Sequence, residues 1–240
     1  MIKYSYNQFI RGEENMDASN PLYENQCIHV EVVVFTVDEG KVKTLLLQRG
    51  VGPFLGEWIV PGGVVFNNES IDEAAVRELE EKTGLKKVFI KQFYAFGEVN
   101  RDPRMRMVSV AYLALIDMHK VDLQHMTLKT MDSKWCDIGD IPKLAFDHNQ
   151  ICDRALEELR HYVINSNIVK DLFYKQFTMP ELQRVYETIL DRKFDRRNFR
   201  RKLLSLGLVE KTGGIEENSS HRPAEYYRFV KDEYEEIDIF

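Results

Sequence analysis

Two stretches of the chain hold side chains whose types and spacing could do chemistry. The first, residues 62–85, reads GGVVFNNESIDEAAVRELEEKTGL and carries the acids Glu69, Glu78 and Glu81. On a helix Glu78, Glu81 and position 82 share one face, because they lie three and four residues apart. A face of carboxylate oxygens is what Mg2+ takes as ligand. Position 82 on that face is Lys82, which sets a cation beside the two acids. Charges of +2 and +1 about 4 Å apart, at an effective dielectric of about 20, repel by roughly 8 kcal/mol, an upper bound because the side chain can swing away. The expectation is no metal and an ammonium paired with Glu78. Gly63, Gly84 and Arg77 are also expected to hold a loop-helix-loop scaffold, with Arg77 paired to Glu81 at i, i+4.

The second stretch, residues 191–209, reads DRKFDRRNFRRKLLSLGLV. Asp195 is a good N-cap for a helix that Gly207 ends. At 100° per residue Phe199, Leu203 and Leu206 fall within about 60° of one another, which is a core-facing stripe. Arg197, Arg201 and Ser205 centre on the opposite side, Asn198 and Arg200 lie near its edges, and Arg196 and Lys202 flank the stripe, where long stems reach outward. A charge run is commonly a solvated face. This one holds seven basic residues and one acid between Arg192 and Lys202, so its cations repel one another unless an anion answers them. Arginine reads guanine with a bidentate fork and asparagine reads adenine, so double-stranded DNA is the expected partner.

The elements that must position these residues follow from periodicity. Residues 28–37 (IHVEVVVFTV) and 42–48 (VKTLLLQ) are β-rich runs around the turn 38–41, an antiparallel hairpin. Residues 88–96 and 107–116 make two more strands around the polar loop 97–106. Between the pairs, Ser70 and Glu73 form a capping box for a helix that carries Ala74, Ala75, Val76 and Leu79 and stops at Gly84. Another helix spans about 148–162, with Ile151, Ala155, Leu156 and Leu159 at helical spacing. The short polar stretch 163–168 (VINSNI) is the expected domain boundary. Beyond it come helices at 180–190 and 196–206 and β-like pieces at 208–212 and 226–230, the order of a winged helix-turn-helix. The turn-rich segment 211–223, with Lys211, His221 and Arg222, is placed as its wing, and these three join the candidate DNA contacts. The resulting division is an N-terminal extension (1–25), an effector-sensing domain (26–163), a DNA-binding domain (164–234) and an acidic tail (235–240).

Composition agrees with two folded domains: 240 residues, 44% hydrophobic and 30% charged. The overall charge of −6 conceals an asymmetry. Residues 168–231 hold 14 Lys plus Arg against 9 Asp plus Glu, whereas the last nine residues, DEYEEIDIF, hold five acids and no base. Three dispersed cysteines, Cys27, Cys136 and Cys152, without CxxC spacing, read as reduced packing residues. The absence of a long apolar run or leader-like start reads as cytoplasmic, with no membrane partner.

The 62–85 segment resembles the Nudix hydrolase signature, matching it at Gly63, Glu69, Arg77, Glu78, Leu79, Glu81, Gly84 and Leu85, with WIVP (58–61) leading in. The departure is Lys82, where the signature has the second Glu of a pair. The resemblance implies an α/β/α sandwich in which helix carboxylates hold a metal that activates water against a pyrophosphate. The departure implies no catalytic residues, no metal and no cofactor, with an active pyrophosphatase as the alternative.

Taken with FTMPELQRVYE (177–187), FDRRNFRRKLL (194–204), HRPAEYYRF (221–229) and LAFDH (144–148), the chain resembles the Nudix-related transcriptional regulators, the NrtR family, and within it the L-arabinose-responsive (AraR) branch. The resemblance implies a homodimeric regulator, a repressor of sugar use, on a palindromic operator that an effector releases. It places the effector in the old substrate cleft, with candidates Glu31, Gln48, Arg49, Trp58, Arg104 and Arg106. L-arabinose would use Glu31, Gln48 and Trp58 as hydrogen-bonding groups and aromatic platform. ADP-ribose or another NAD metabolite, the alternative, would use Arg104 and Arg106 on its diphosphate.

Overall fold

The computed structural model describes residues 26–86, 88–121, 130–174, 176–216 and 223–240. The centre of the larger sheet is β1 (Cys27–Asp38), whose run of valines supplies core on both faces. It pairs antiparallel with β2 (Lys41–Arg49) and parallel with β6 (Met107–Leu115), and its first half also takes β4 (Gly62–Val64). Outside β2 lie β3 (Trp58–Ile59) and β7 (Thr130–Asp137); β5 (Lys91–Phe96) closes the other edge on β6.

Strand alternation sorts the side chains into two layers. Val30, Val32 and Val34 face one way, onto Ala74, Ala75 and Leu79 of α1 (Ile71–Thr83). Val33 and Phe35 face the other, onto Ile151, Ala155, Leu159 and Val163 of α2 (His148–Asn165). Helix α1 begins at the foreseen Ser70/Glu73 capping box and ends at Gly84 in the left-handed conformation (φ 70). The outcome is the expected α/β/α sandwich.

The smaller unit is a winged helix built from β8 (Phe177–Thr178), α3 (Met179–Leu190), α4 (Arg196–Ser205), β9 (Val209–Ile215) and β10 (Glu225–Phe229), with β10 between β8 and β9. The turn between α3 and α4 is pinned from α3: Gln183 Nε2 donates to the Phe194 carbonyl (2.9 Å), and Phe194 N donates to Glu187 Oε1 (3.0 Å). Asp195 caps α4 by accepting from Asn198 N at 2.9 Å. Phe199 and Leu203 are buried as foreseen, but Leu206 follows the helix as its C-cap, and Leu208 fills that place in the core.

Two segments are more deeply packed than their polarity suggests. At residues 163–168, the expected domain boundary, α2 runs on to Asn165, and Ile168 and Val169 are fully buried in a core shared with Phe177, Tyr186 and Phe199. Residues 235–240 are not a solvated acidic tail. They form a strap along the end of α2, in which Ile237 N donates to Asn165 O and Ile239 N to Ile164 O, both at 2.8 Å, and Asn167 N donates to Glu235 O at 3.1 Å. Ile239 is fully buried, and the Phe240 ring packs on Phe194 (4.6 Å) and Phe199 (5.7 Å) under α4. Reading DEYEEIDIF by its charge overlooked Tyr234, Ile237, Ile239 and Phe240, which supply the contacts. Among the described residues no helix is long and apolar enough to cross a membrane. Because the strap joins both units, Ile239→Ala is expected to lower stability by about 2–5 kcal/mol, the usual cost of emptying a fully buried isoleucine, measured by urea unfolding.

Candidate functional site

The carboxylates of α1 are organised by one guanidinium. Arg77 donates from Nε and Nη2 to Glu69 (2.9 and 2.7 Å), from Nη1 to Glu78 Oε1 (2.6 Å) and from Nη2 to the Val64 carbonyl (3.0 Å), while its Cζ lies 4.2 Å over the Phe66 ring. The hydrogen bonds from Arg77 outweigh burial and hold the Glu69 carboxyl at about 2. Glu81 is a weaker partner, 3.7 Å from Arg77 Nη1 and half-exposed. The expected pairing of Arg77 with Glu81 is therefore secondary to Glu69 and Glu78.

Among the described residues Lys82, although buried, forms no ion pair, so the expected Lys82–Glu78 pair is not made. The planar fork of Arg77 reaches both acids at once and takes the counterion's place. Gly63 is needed for this geometry, since a Cβ there would lie 1.9 Å from Glu78 Oε1. Among the described residues no group of three or more His, Cys, Asp or Glu side chains is placed to hold a metal ion.

On the opposite face of the sheet a cleft opens where β1 meets the start of α2. Its floor is Glu31, 2% exposed, with Oε1 near His29 Nδ1 (3.1 Å), His148 Nε2 (3.5 Å) and Arg101 Nη2 (3.6 Å). Val60 N donates to His148 Nδ1 at 3.2 Å, so the ring's proton sits on Nε2, toward Glu31. Burial alone would raise the Glu31 carboxyl; the charge of His29 and the hydrogen bonds from His148 and His29 overcome it and hold the group well below the usual carboxylate range. Buried Arg101 is held by Asp147 through a bidentate pair at 2.8 and 2.7 Å.

The mouth of the cleft carries Phe146, with φ 56 in the left-handed region and its ring edge-on to Phe54 at 4.7 Å. A phenylalanine in that backbone region is uncommon and costs energy that the surrounding packing must cover. Arg49 Cζ and Arg104 Cζ lie 5.0 and 5.6 Å from the same ring. Arg104 is oriented by Asp102 (2.9 and 2.6 Å), and Arg49 by the carbonyls of Pro53 (3.0 Å) and Val51 (3.2 Å).

Of the effector candidates, the cleft brings together Glu31, Arg49 and Arg104. Gln48, Trp58 and Arg106 do not line it. Gln48 donates to the Gly56 carbonyl (2.9 Å), Trp58 opposes it across the β2–β3 pair with Lys134 Nζ 4.1 Å over its ring, and Arg106 donates to the carbonyls of Glu98 and Met107 (3.3 and 3.2 Å). The lining residues His29, Arg101, Asp102, Phe146 and His148 were not among the candidates. Phe146 and His148 sit in LAFDH, and Arg101 and Asp102 in the polar loop 97–106 that also supplies Arg104.

The second surface is α4, whose Arg196, Arg197, Asn198, Arg200, Arg201 and Lys202 are all exposed. Arg200 Nη2 and Lys211 Nζ share Glu225 (3.0 and 2.6 Å), and Arg201 Nη2 donates to Asn198 Oδ1 at 2.7 Å. Arg196, Arg197 and Lys202 form no ion pair among the described residues; Arg197 stands on the side of α4 opposite the buried Phe199 and Leu203, and Arg196 and Lys202 flank that buried stripe. His221 and Arg222 lie outside the described residues.

With this geometry in place, comparison with known proteins is informative. Residues 28–157 match the family described as the NUDIX domain, and residues 169–229 the NrtR DNA-binding winged helix domain. Over 98% of this chain and 92% of the other, the sequence is 32% identical to the ADPR responsive transcriptional repressor NtrR of Acinetobacter baylyi. Shewanella oneidensis NrtR, solved in complex with a 27mer DNA, superposes with a TM-score of 0.75 at 33% identity, covering 84% of this chain and 93% of that one. The NUDIX domain of the same Shewanella protein, solved with ADP ribose, gives 0.53 at 35% identity over 60% of this chain and 94% of its own. The chain, a Nudix domain joined to a C-terminal winged helix, belongs to the NrtR family of Nudix-related transcriptional regulators.

Proposed function

We propose that this chain is a DNA-binding repressor whose Nudix domain senses ADP-ribose or a closely related nucleoside diphosphate sugar and does not hydrolyse it. The observation that carries the reading is the Phe146 ring with Arg49 and Arg104 set about it, above a buried carboxylate. An aromatic face takes a base, and paired guanidinium groups take a diphosphate. The pentose reading loses support. Of the three residues assigned to L-arabinose only Glu31 lines the cleft, and the aromatic platform, Trp58, is engaged elsewhere. Relatives bearing on ADP-ribose favour the diphosphate as well.

Two features argue against turnover. Lys82 stands where a ligand oxygen is needed, and Arg77 has taken up Glu69 and Glu78, so the residues present do not fit a divalent cation. As a repressor the chain would act as a homodimer on a palindromic operator, each α4 entering a major groove. Ligand would reach DNA through α2. This helix of 18 residues, about 27 Å long, has the cleft residues Phe146, Asp147 and His148 at its start and the strap that underlies α4 at its end. Release requires that the ligand favour the arrangement that does not match the operator.

Three outcomes are expected. ADP-ribose at a hundredfold excess over its Kd raises stability by about 2.7 kcal/mol and weakens binding to a DNA duplex selected from a random pool at least ~10-fold, a coupling of about 1.4 kcal/mol; L-arabinose does neither. Arg197→Ala lowers affinity for that duplex and flattens its salt dependence by about one unit of slope, measured by fluorescence anisotropy from low to moderate salt. Incubated with Mg2+ or Mn2+, the protein leaves ADP-ribose intact; cleavage to AMP and ribose 5-phosphate that Glu81→Gln abolishes would show an active hydrolase instead.

A further inference from the structure

Glu31 stands out among the buried acids of the chain. It occupies the middle of β1, opposite Gly62 and Ala111, where a sheet ordinarily places an apolar side chain. Among the described residues its Oε1 has three nitrogens around it, whereas Oε2 is buried and has no hydrogen-bond partner. Arg101 does not complete the set, because its fork is committed to Asp147. Gly62 lets the backbone pack directly against this residue, since a Cβ there would stand 2.3 Å from the Val30 carbonyl oxygen and 3.3 Å from Glu31 Cγ. The carboxylate is held ionised by the groups around Oε1, and its Oε2 is left unsatisfied in a residue that lines the cleft.

We propose that Glu31 is the specificity-determining residue of the cleft: Oε2 accepts hydrogen bonds from the vicinal hydroxyls of the sugar at the end of the effector remote from its base. The inference rests on the reading of the cleft as a nucleoside diphosphate sugar site. An ionised carboxylate only accepts, so it calls for O–H donors and repels a terminal phosphate. Depth sets the orientation. Arg104, 45% exposed, and half-buried Phe146 lie at the mouth, and Glu31, 2% exposed, lies at the floor. A base stacked at Phe146, with its diphosphate on Arg49 and Arg104, carries only the far sugar down to Oε2. A buried acceptor that a ligand fails to satisfy remains a penalty in the complex, which makes this contact discriminating.

Calorimetric titration of the full chain with ADP-ribose, ADP and AMP tests the assignment. The wild type should bind ADP-ribose about 10- to 100-fold more tightly than ADP, the range for a hydrogen bond to a charged group. Glu31→Gln should erase that advantage by a loss confined to ADP-ribose. Glu31→Asp, which keeps the charge and withdraws it by one methylene, should shrink the advantage in the same way, and it serves in place of the first variant if thermal unfolding shows that one misfolded. Equal losses for ADP-ribose and ADP, or no loss for either, overturn the assignment of Glu31 while leaving the nucleotide reading intact. Equal wild-type affinity for ADP-ribose and ADP does the same. A wild type that binds none of the three refutes the nucleotide reading, and the inference with it.

Discussion

The burial of α2 from two sides is the constraint on which the rest of the molecule depends. Ile151, Ala155, Leu159 and Val163 on one side of it are wholly removed from water against the large sheet. Its far end is gripped by the strap, and Arg160 Nε donates to the Ile189 carbonyl, at the end of α3, at 3.0 Å. Such a rod cannot shift at one end without disturbing the other, because close-packed interiors yield by discrete repacking rather than by gradual deformation. On the proposed function, the sensing and DNA-binding surfaces are thus linked through α2 although they sit on different units. The aromatic group of Tyr186, Phe194, Phe199 and Phe240 is where strap, α3 and α4 meet.

The first helix is a scaffold whose side chains fit one another, which is what the proposed absence of turnover requires. Gly63, Arg77 and the acids persist because they are each other's structural partners: Arg77 ties the loop carbonyl of Val64 to Glu69 and Glu78, and Gly63 leaves room for the Glu78 carboxylate. Nothing in that arrangement needs a cation other than arginine. The cleft across the sheet, by contrast, keeps features that structure alone does not require, including a left-handed Phe146 and a carboxylate oxygen without a donor.

Much of this could be read from the chain. β-rich runs placed β1 and β2, the Ser70/Glu73 box and Gly84 bounded α1, and the stripe of Phe199 and Leu203 oriented α4. What escaped has physical reasons. β7 (TMDSKWCD) carries few apolar residues and owes its existence to pairing with β2. The strap looks acidic because its charges point to water while its apolar residues alternate inward. Arg101, Asp147 and His148 converge on Glu31 from a loop and a helix start more than sixty positions away, and no local pattern reports such a meeting. Gln48 and Trp58 were chosen for chemical type, but their register in the β2–β3 pair turns them to other partners.

The central claim is that occupancy of the cleft is felt at the recognition helix through α2 and the strap. Hydrogen exchange of the full chain, with and without saturating ADP-ribose, reads that path residue by residue. The account predicts altered protection at Ile237 and Ile239, whose amides hold the strap to α2, and at α4 beyond. Changes confined to the cleft, with the strap and α4 exchanging as before, would contradict it.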